Sequence, residues 1–192
     1  MHGLRANKKV NSDKQKSKKS QNQNTTMSMN NYVLRRVAYA LTLNIKGMLD
    51  ILALVDYYLS ASELKGYLLK DEQEGFVPLP DYILIIFLDG LIVQKRGKRE
   101  GAENLSQQER VKLSKKEDLS NNQLLTKLKI AFNLKAENLI EVLQGADFRV
   151  SKGELSAFSR KPEHRNFRPC GNQLIRNLLT GLTLRFRASK DN

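Results

Sequence analysis

The sequence predicts an all-α protein of two tandem, homologous four-helix repeats that pack together, each with a helix-turn-helix-like arrangement. Residues 31–96 align without a gap on residues 122–187, 91 positions later, and 17 of the 66 aligned pairs are identical. Self-similarity of this kind is typical of an internal duplication. Apolar residues recur in both copies at three- and four-residue spacings, which predicts amphipathic helices. A Ser-x-x-Glu motif also occurs at the same offset in each copy.

Composition divides the chain into four segments. Residues 1–29 are rich in Lys, Ser, Asn and Gln with almost nothing apolar to bury, which predicts a disordered basic tail. Residues 30–96 and 122–187 are the two helical repeats. Residues 97–121 are charged and polar, which predicts an exposed charged linker. The tail is interpreted as a solubilising extension, with a basic arm that adds nonspecific phosphate affinity as the alternative.

The first three helices of each repeat follow from apolar spacing and from capping residues. In the first copy, apolar side chains recur at helical intervals over residues 32–43 and again over residues 46–56. The third helix is predicted to begin at Ser60 and at Ser151, because each opens a Ser-x-x-Glu capping box. In this motif the Ser hydroxyl and the Glu carboxylate satisfy backbone amides of the first turn.

The fourth element of the first copy is ambiguous when read alone. The apolar run 82–93 around Asp89 and Gly90 fits either a β-hairpin or a helix. The second copy favours the helix, because its apolar residues over 174–182 fall at helical spacing. Gly90 and Gly181 then lie inside helices, which predicts close backbone packing. The helix of the first copy, apolar on all sides, is expected to be buried more completely, against the second copy or a second subunit.

The positive charge is distributed unevenly along the chain. The net charge is +13, of which residues 1–29 carry +6 and residues 122–187 carry +7, whereas residues 30–96 carry −1. Two copies of one scaffold therefore differ sharply in charge. This asymmetry predicts an anionic partner for the second copy, with nucleic acid as the first candidate.

The compartment is predicted from what the sequence lacks. The single cysteine, Cys170, excludes an intrachain disulfide, which argues against an extracellular stapled scaffold. No apolar run resembles a signal peptide or is long enough to cross a bilayer. We therefore expect a cytoplasmic protein with no membrane association.

The residues that could support catalysis are few. His164 and Cys170 lie six positions apart in the second copy, where the first copy has Gln73 and Leu79. A nucleophile and a base without an orienting third group are a weak signal. With two His and one Cys, a closed zinc site would also need carboxylates. We expect no catalytic residue, no metal, no cofactor and no enzymatic activity.

Two aspartates recur near the ends of the second helices. Asp56 and Asp147 lie where the helix dipole disfavours an anion. A structural ion pair, with Arg36 or Lys127 among the candidate cations, or a cap on the next turn is favoured over an acid–base role.

The third helix and the loop after it differ most between the copies. The second copy places basic and hydroxyl side chains opposite the core face, where the first copy has four apolar residues, two lysines, one glutamine and one glutamate: Ala61, Lys65, Leu68, Leu69, Lys70, Gln73, Glu74 and Val77. Helix, short turn and capped helix is also the layout of a helix-turn-helix, whose second helix enters the DNA major groove. The candidate nucleic-acid-binding residues are Arg149, Lys152, Ser156, Arg160, Lys161, His164, Arg165 and Arg168. Lys152 and Ser156 are assigned to base edges, and the arginines and Lys161 to phosphates.

The alternative function is a non-catalytic helical module for protein–protein interaction. It interprets the basic residues as a solvated face and assigns self-association or a protein partner to the first copy. The surface predicted for that association is Leu68, Leu69 and the apolar run 82–93.

Several runs resemble a known family. Residues 30–41, Asn-Asn-Tyr-Val-Leu-Arg-Arg-Val-Ala-Tyr-Ala-Leu, and residues 146–158, followed by Arg160-Lys161-Pro162, are similar to the bacterial YehS-like family, a duplicated domain of unknown function (number 1456). The resemblance covers roughly residues 29–187. It implies a duplicated, mainly helical cytoplasmic protein, and it implies no activity or catalytic residue.

Overall fold

A computed structural model describes residues 29–98, 105–117 and 119–188. These ranges contain nine helices and no strand, which confirms the predicted all-α class. Residues 1–28, and with them nearly all of the predicted tail, lie outside the described ranges; Met29 is buried in the first helix. The helices are α1 (29–41), α2 (Ile45–Ala53), α3 (Ala61–Leu68), α4 (Asp81–Arg96), α5 (Gln107–Ser114), α6 (Asn121–Ala131), α7 (Ala136–Gln144), α8 (Lys152–Phe158) and α9 (Asn172–Ala188).

Both predicted capping boxes are formed. The Ser60 hydroxyl accepts from the Glu63 N–H at 3.2 Å, and the Glu63 carboxylate accepts from the Ser60 N–H at 2.9 Å. Ser151 and Glu154 repeat both bonds at 3.2 and 2.9 Å. These hydrogen bonds lower the pKa of both glutamates. The starts of α3 and α8 are therefore fixed by the same local chemistry.

The recurring aspartates terminate helices rather than forming ion pairs. Asp56 and Asp147 both have a φ of +54°, a left-handed conformation that Asp and Asn tolerate better than most residues. The next residue, Tyr57, donates its N–H to the Leu52 carbonyl at 3.1 Å, which closes a Schellman motif. Among the described residues no cation lies within ion-pair distance of either carboxylate. The predicted ion pair is wrong.

An asparagine near the start of each repeat, buried at Asn31 and partly buried at Asn122, holds the chain between the third and fourth helices. The Asn31 amide donates to the carbonyls of Tyr67 and Val77 at 2.9 and 2.8 Å, and its oxygen accepts from the Leu79 N–H at 2.9 Å. Asn122 makes the equivalent bonds to Phe158, Arg168 and Cys170. Because the same three backbone groups are satisfied, the loop that carries the variable surface has the same anchor in both copies.

The close helix packing predicted at the recurring glycines is present. A Cβ at Gly90 would collide with the Ile51 carbonyl oxygen, and a Cβ at Gly181 would collide with the Val142 carbonyl oxygen. These contacts join α4 to α2 and α9 to α7. The absence of a side chain therefore sets the distance between the helices.

The two repeats share one hydrophobic core, and α4 lies at its centre. This helix packs against α2, α5 and α6, and all six residues from Ile83 to Leu88 are buried. Its counterpart α9 buries only one face. The predicted extra burial of α4 is confirmed, and the covering elements belong to the same chain. The association surface predicted for residues 82–93 is therefore wrong, because these residues are largely inside the protein.

The linker differs from the exposed segment that the sequence predicts. Ser106 and Glu109 form a third capping box that starts α5, and α5 packs against α4. The Lys115 ammonium lies 4.9 Å from the centre of the Tyr82 ring, and Ser114 is buried. Helix α5 of the linker therefore covers part of the apolar surface of α4.

No helix within the described ranges combines the length and the apolarity that crossing a bilayer requires.

Candidate nucleic-acid interface

The loops after α3 and α8 share backbone hydrogen bonds at equivalent positions, but they differ at Gly75, which has a φ of +85° where its counterpart Asn166 has no positive φ. In the first copy the Gln73 N–H donates to the Lys70 carbonyl at 2.9 Å, and the Val77 N–H donates to the Gly66 carbonyl at 3.1 Å. In the second copy, His164 donates to Lys161 at 2.9 Å and Arg168 donates to Ala157 at 3.3 Å. The two surfaces can therefore be compared residue by residue, because their side chains start from equivalent positions.

The chemistry on this common backbone is opposite in the two copies. Residues 58–77 contain two Lys and four Asp or Glu, whereas residues 149–168 contain six Lys or Arg and two Glu. Arg160, Arg165 and Arg168 stand where the first copy has Leu69, Glu74 and Val77. A face that is acidic and partly apolar in one repeat is basic in the other.

Four of the eight predicted residues surround one groove on the second repeat. The groove has a volume of about 590 Å³ and lies between α8 and the loop that follows it. Ser156, Arg160, Arg165 and Arg168 line it, and all four are exposed. The other lining residues are Ser151, Gly153, Glu154, Ala157, Asn166 and Phe167. The remaining predicted residues, Arg149, Lys152, Lys161 and His164, are exposed but lie outside its lining.

The cations of this face form no ion pair within 4.0 Å among the described residues, although the Glu154 carboxylate lines the same groove and has its pKa lowered in part by Arg168. Within the described ranges no Asp or Glu oxygen lies within 4.0 Å of their side-chain nitrogens. This holds for Arg149, Arg160, Lys161, Arg165 and Arg168. An external anion could therefore contact these side chains without breaking an internal ion pair.

Lys152 is oriented differently from the sequence prediction, which assigned it to a base edge. Its ammonium lies 3.1 Å from the Glu137 carboxylate on α7, with both side chains mostly exposed. The pKa of Glu137 is lowered by its own backbone N–H and by Lys152. An exposed pair of this kind is weak, so Lys152 is restrained rather than fixed. The pair spans 15 positions and leaves no local sequence signal.

His164 lies beside Arg160 on the exposed loop. Its Nε2 is 2.8 Å from the Arg160 Nη1, and its Nδ1 is 3.0 Å from the Asn166 backbone nitrogen. A neutral imidazole offers one acceptor nitrogen, so these two contacts compete for it. The ring can therefore accept a hydrogen bond from the Arg160 guanidinium or from the Asn166 N–H, but not from both at once.

The residues weighed for catalysis do not line the groove. Cys170 is 5% exposed, and burial raises the pKa of its thiol to about 11, which keeps it protonated and poorly nucleophilic at neutral pH. Asp147 terminates α7, and His164 lies on the loop. Across the described ranges no group of three His, Cys, Asp or Glu side chains is arranged to hold a metal ion.

A second basic area escapes motif-based reasoning. The Arg176 guanidinium on α9 lies 4.5 Å from the centre of the Tyr32 ring on α1. The signal in the sequence is a single exchange between the copies, because Arg176 stands where α4 has the buried Ile85. That exchange becomes informative only once α9 is known to lie against α1.

Comparison with known proteins agrees with the duplicated architecture. The family described as "Protein of unknown function (DUF1456)" matches the sequence twice, over residues 30–97 and 121–188. The chain belongs to this family. It is also 40% identical over 162 residues to the "Uncharacterized protein YehS" of Escherichia coli (strain K12), an alignment that covers 84% of this chain and 99% of the relative. No solved structure gives a significant match. The family resemblance noted in the sequence is confirmed.

Proposed function

We propose that this chain is a cytoplasmic, non-enzymatic nucleic-acid-binding protein that holds a phosphate backbone in the groove beside α8. DNA is the favoured ligand. The observation that carries the proposal is the placement of Arg160, Arg165 and Arg168 around one groove without internal carboxylate partners. The first repeat has Leu69, Glu74 and Val77 at the equivalent positions of its loop.

The chemistry of the groove suits phosphate. Guanidinium groups donate paired hydrogen bonds that match phosphate oxygens, and the Ser156 hydroxyl is a further donor. The helix beside the groove, α8, is seven residues long, which corresponds to roughly 10 Å. A helix this short offers few positions for base edges, and Lys152 would have to leave Glu137 to reach one. The proposed contacts are therefore mainly with the backbone.

Fluorescence anisotropy with a labelled DNA duplex tests this proposal in the full chain. Charge reversal of Arg160, Arg165 and Arg168 to Glu is expected to abolish most of the affinity. It should also reduce the slope of log affinity against log salt by about 3, since each phosphate contact contributes roughly 0.9. The matched control reverses Lys46, Lys65 and Lys70 in the first repeat. Equal losses in both variants, or no binding by the unaltered chain at low salt, would contradict the proposal.

A further inference from the structure

The two repeats meet along two seams that internal homology relates. The first seam joins α4 to α6, and the second joins α9 to α1. At the first seam the Lys127 ammonium lies 2.7 Å from the Asp89 carboxylate. The residues 91 positions away, Arg36 on α1 and Thr180 on α9, are the counterparts of Lys127 and Asp89 at the second seam.

The first seam neutralises its cation from two sides. Lys127 is 17% exposed and also lies 3.4 Å from Glu117, which follows α5. Helix α5 itself packs on α4. A helix and two carboxylates therefore close the first seam over its buried cation.

The second seam has the cation without the acid. Thr180 replaces the aspartate and donates its hydroxyl to the Arg176 carbonyl at 3.1 Å. The Arg36 Nε is buried and has no hydrogen-bond partner among the described residues. Within the described ranges the Arg36 guanidinium forms no ion pair, and the ring that it faces is Tyr39, whose centre lies 5.8 Å away. A buried donor that lacks a hydrogen-bond partner destabilises the folded protein, and an acceptor would remove this penalty.

Two further arginines line the second seam. Arg176 stacks on Tyr32, and the Arg187 guanidinium lies 4.0 Å from the centre of the Tyr39 ring. Arg187 also donates to the Tyr39 carbonyl at 3.3 Å, and Tyr39 is half exposed. Stacking on tyrosine holds the guanidinium groups in place. Among the described residues no carboxylate lies within 4.0 Å of Arg36, Arg176 or Arg187.

The stretch ahead of α1 does not resemble the one ahead of α6. Residues 105–117 bring Glu117 to the first seam, whereas residues 1–28 carry seven Lys or Arg and a single acid, Asp13. That basic stretch is poorly suited to supply the missing carboxylates. An anion from another molecule fits the charge of the second seam better.

We propose that the second seam binds an acidic helical segment of a partner protein, with carboxylates in the places that Asp89 and Glu117 occupy at the first seam. The first seam shows that such a surface accepts a helix and side-chain carboxylates. In this proposal the carboxylates pair with the guanidinium groups of Arg36, Arg176 and Arg187, none of which has an internal carboxylate within 4.0 Å among the described residues. This site is distinct from the groove beside α8 and does not depend on nucleic-acid binding.

The test uses a fluorescent alanine-rich helical peptide with glutamates along one face, and its glutamine twin as the matched probe. The full chain should bind the glutamate peptide and not the glutamine twin. Thr180→Asp supplies an internal carboxylate to Arg36 and should weaken peptide binding by about tenfold. Lys65→Gln, which changes the charge by the same one unit on exposed α3, should leave it unchanged. The affinity of Thr180→Asp for a DNA duplex should equal that of the unaltered chain.

Several results would overturn the proposal. The first is that the unaltered chain does not bind the glutamate peptide at low salt. The second is that the unaltered chain and Thr180→Asp bind this peptide equally well. The third is that Thr180→Asp loses as much affinity for the duplex as for the peptide. The last result would assign the seam to nucleic acid. If Thr180→Asp does not fold, Arg176→Gln at an exposed position provides the same comparison. Failure of the α8 groove variants to affect DNA leaves this test intact, because the peptide probes a different surface.

Discussion

The Lys127 ammonium of α6 lies 2.7 Å from the Asp89 carboxylate of α4, which places an ion pair between the two repeats. Burial raises the pKa of Asp89 even though Lys127, the next largest influence, lowers it. Glu117 adds a second carboxylate 3.4 Å from the same ammonium. One lysine therefore balances two acids at the contact between the copies.

Replacement of Lys127 by Met is expected to destabilise the protein by about 1–3 kcal/mol at neutral pH, because it leaves Asp89 partly buried without its cation. Since the folded-state pKa of Asp89 is raised, its contribution to stability is present below the ordinary carboxylate pKa and is lost as the pH rises through the raised value. The deficit of the variant should therefore shrink on acidification. Urea unfolding at several pH values measures this.

The exposed pair of Lys46 and Asp50 provides the control for that experiment. Their charged groups lie 2.8 Å apart, and the side chains are 83% and 60% exposed, so Lys46→Met should leave the free energy of unfolding almost unchanged. A deficit in Lys127→Met that is equally small, or that grows on acidification, would argue against this account of the seam.

The burial of Tyr57 predicts that the protein loses stability at alkaline pH. The side chain is 4% exposed, and burial is the main cause that raises its pKa to about 12, against an ordinary value of about 10. Its contribution is present below pH 10 and is lost as the pH rises to about 12. Tyr57→Phe, the residue that Phe148 already provides in the second repeat, should match the unaltered chain at neutral pH and lose less stability in this window. Tyr58→Phe, at a residue that is 63% exposed, should lose as much stability in this pH window as the unaltered chain.

Gly181→Ala should destabilise the protein by about 2 kcal/mol or more, although alanine favours a helix by about 1 kcal/mol. The added methyl would collide with the Val142 carbonyl and push α9 away from α7. Gly153→Ala in α8 is the control, because a Cβ there would have only the Ser151 hydroxyl nearby, at 3.9 Å. In thermal unfolding, the midpoint temperature of the Gly153→Ala control should equal or exceed that of the unaltered chain. Similar losses in the two variants would exclude close packing as the cause.

Asn122→Ala should destabilise the second repeat by about 2–3 kcal/mol, since two carbonyls and one N–H lose their partner. The bonds run to Phe158 and Arg168 at 2.7 and 2.9 Å and from Cys170 at 2.9 Å. Asn138, on α7, makes no side-chain hydrogen bond to a described residue, so Asn138→Ala should have little effect. Amide hydrogen exchange should show faster exchange in residues 159–170 of the first variant alone.

Glu137→Gln should raise the affinity for a DNA duplex by less than about tenfold, because it releases the Lys152 ammonium from a weak exposed pair. Glu141→Gln removes the same charge from the same helix at an exposed residue that lacks such a pair. Anisotropy titration at one salt concentration compares the two. An identical gain in both would mean that net charge, rather than Lys152, is responsible.

Sequence patterns predicted the features that depend on neighbouring residues. The Ser60 and Ser151 caps, the helical character of α4 and the close packing at Gly90 and Gly181 all carry local or recurring signals. Helix α5 had a local signal too, in Ser106 and Glu109, but its polar composition favoured a linker. Its packing became evident only when α4 was seen to need a cover.

Other features depend on positions that are far apart in the chain. Helix packing brings Lys152 to Glu137 and Arg176 to Tyr32. The left-handed conformation of Asp147 is a property of the backbone at that residue. Periodicity and motif spacing do not contain this information. In the candidate site, the exposed arginines were predictable from charge, whereas the groove that gathers three of them was not.

Helix α5 belongs to the connection between the copies, and this has a consequence for symmetry. Two separate identical repeats would associate through a pair of indistinguishable faces. Covalent fusion places one connecting helix on α4, so within the described ranges one face is occupied by the chain itself while its equivalent stays available. Joining the copies therefore makes two otherwise equivalent faces different, because the connecting helix α5 packs on α4.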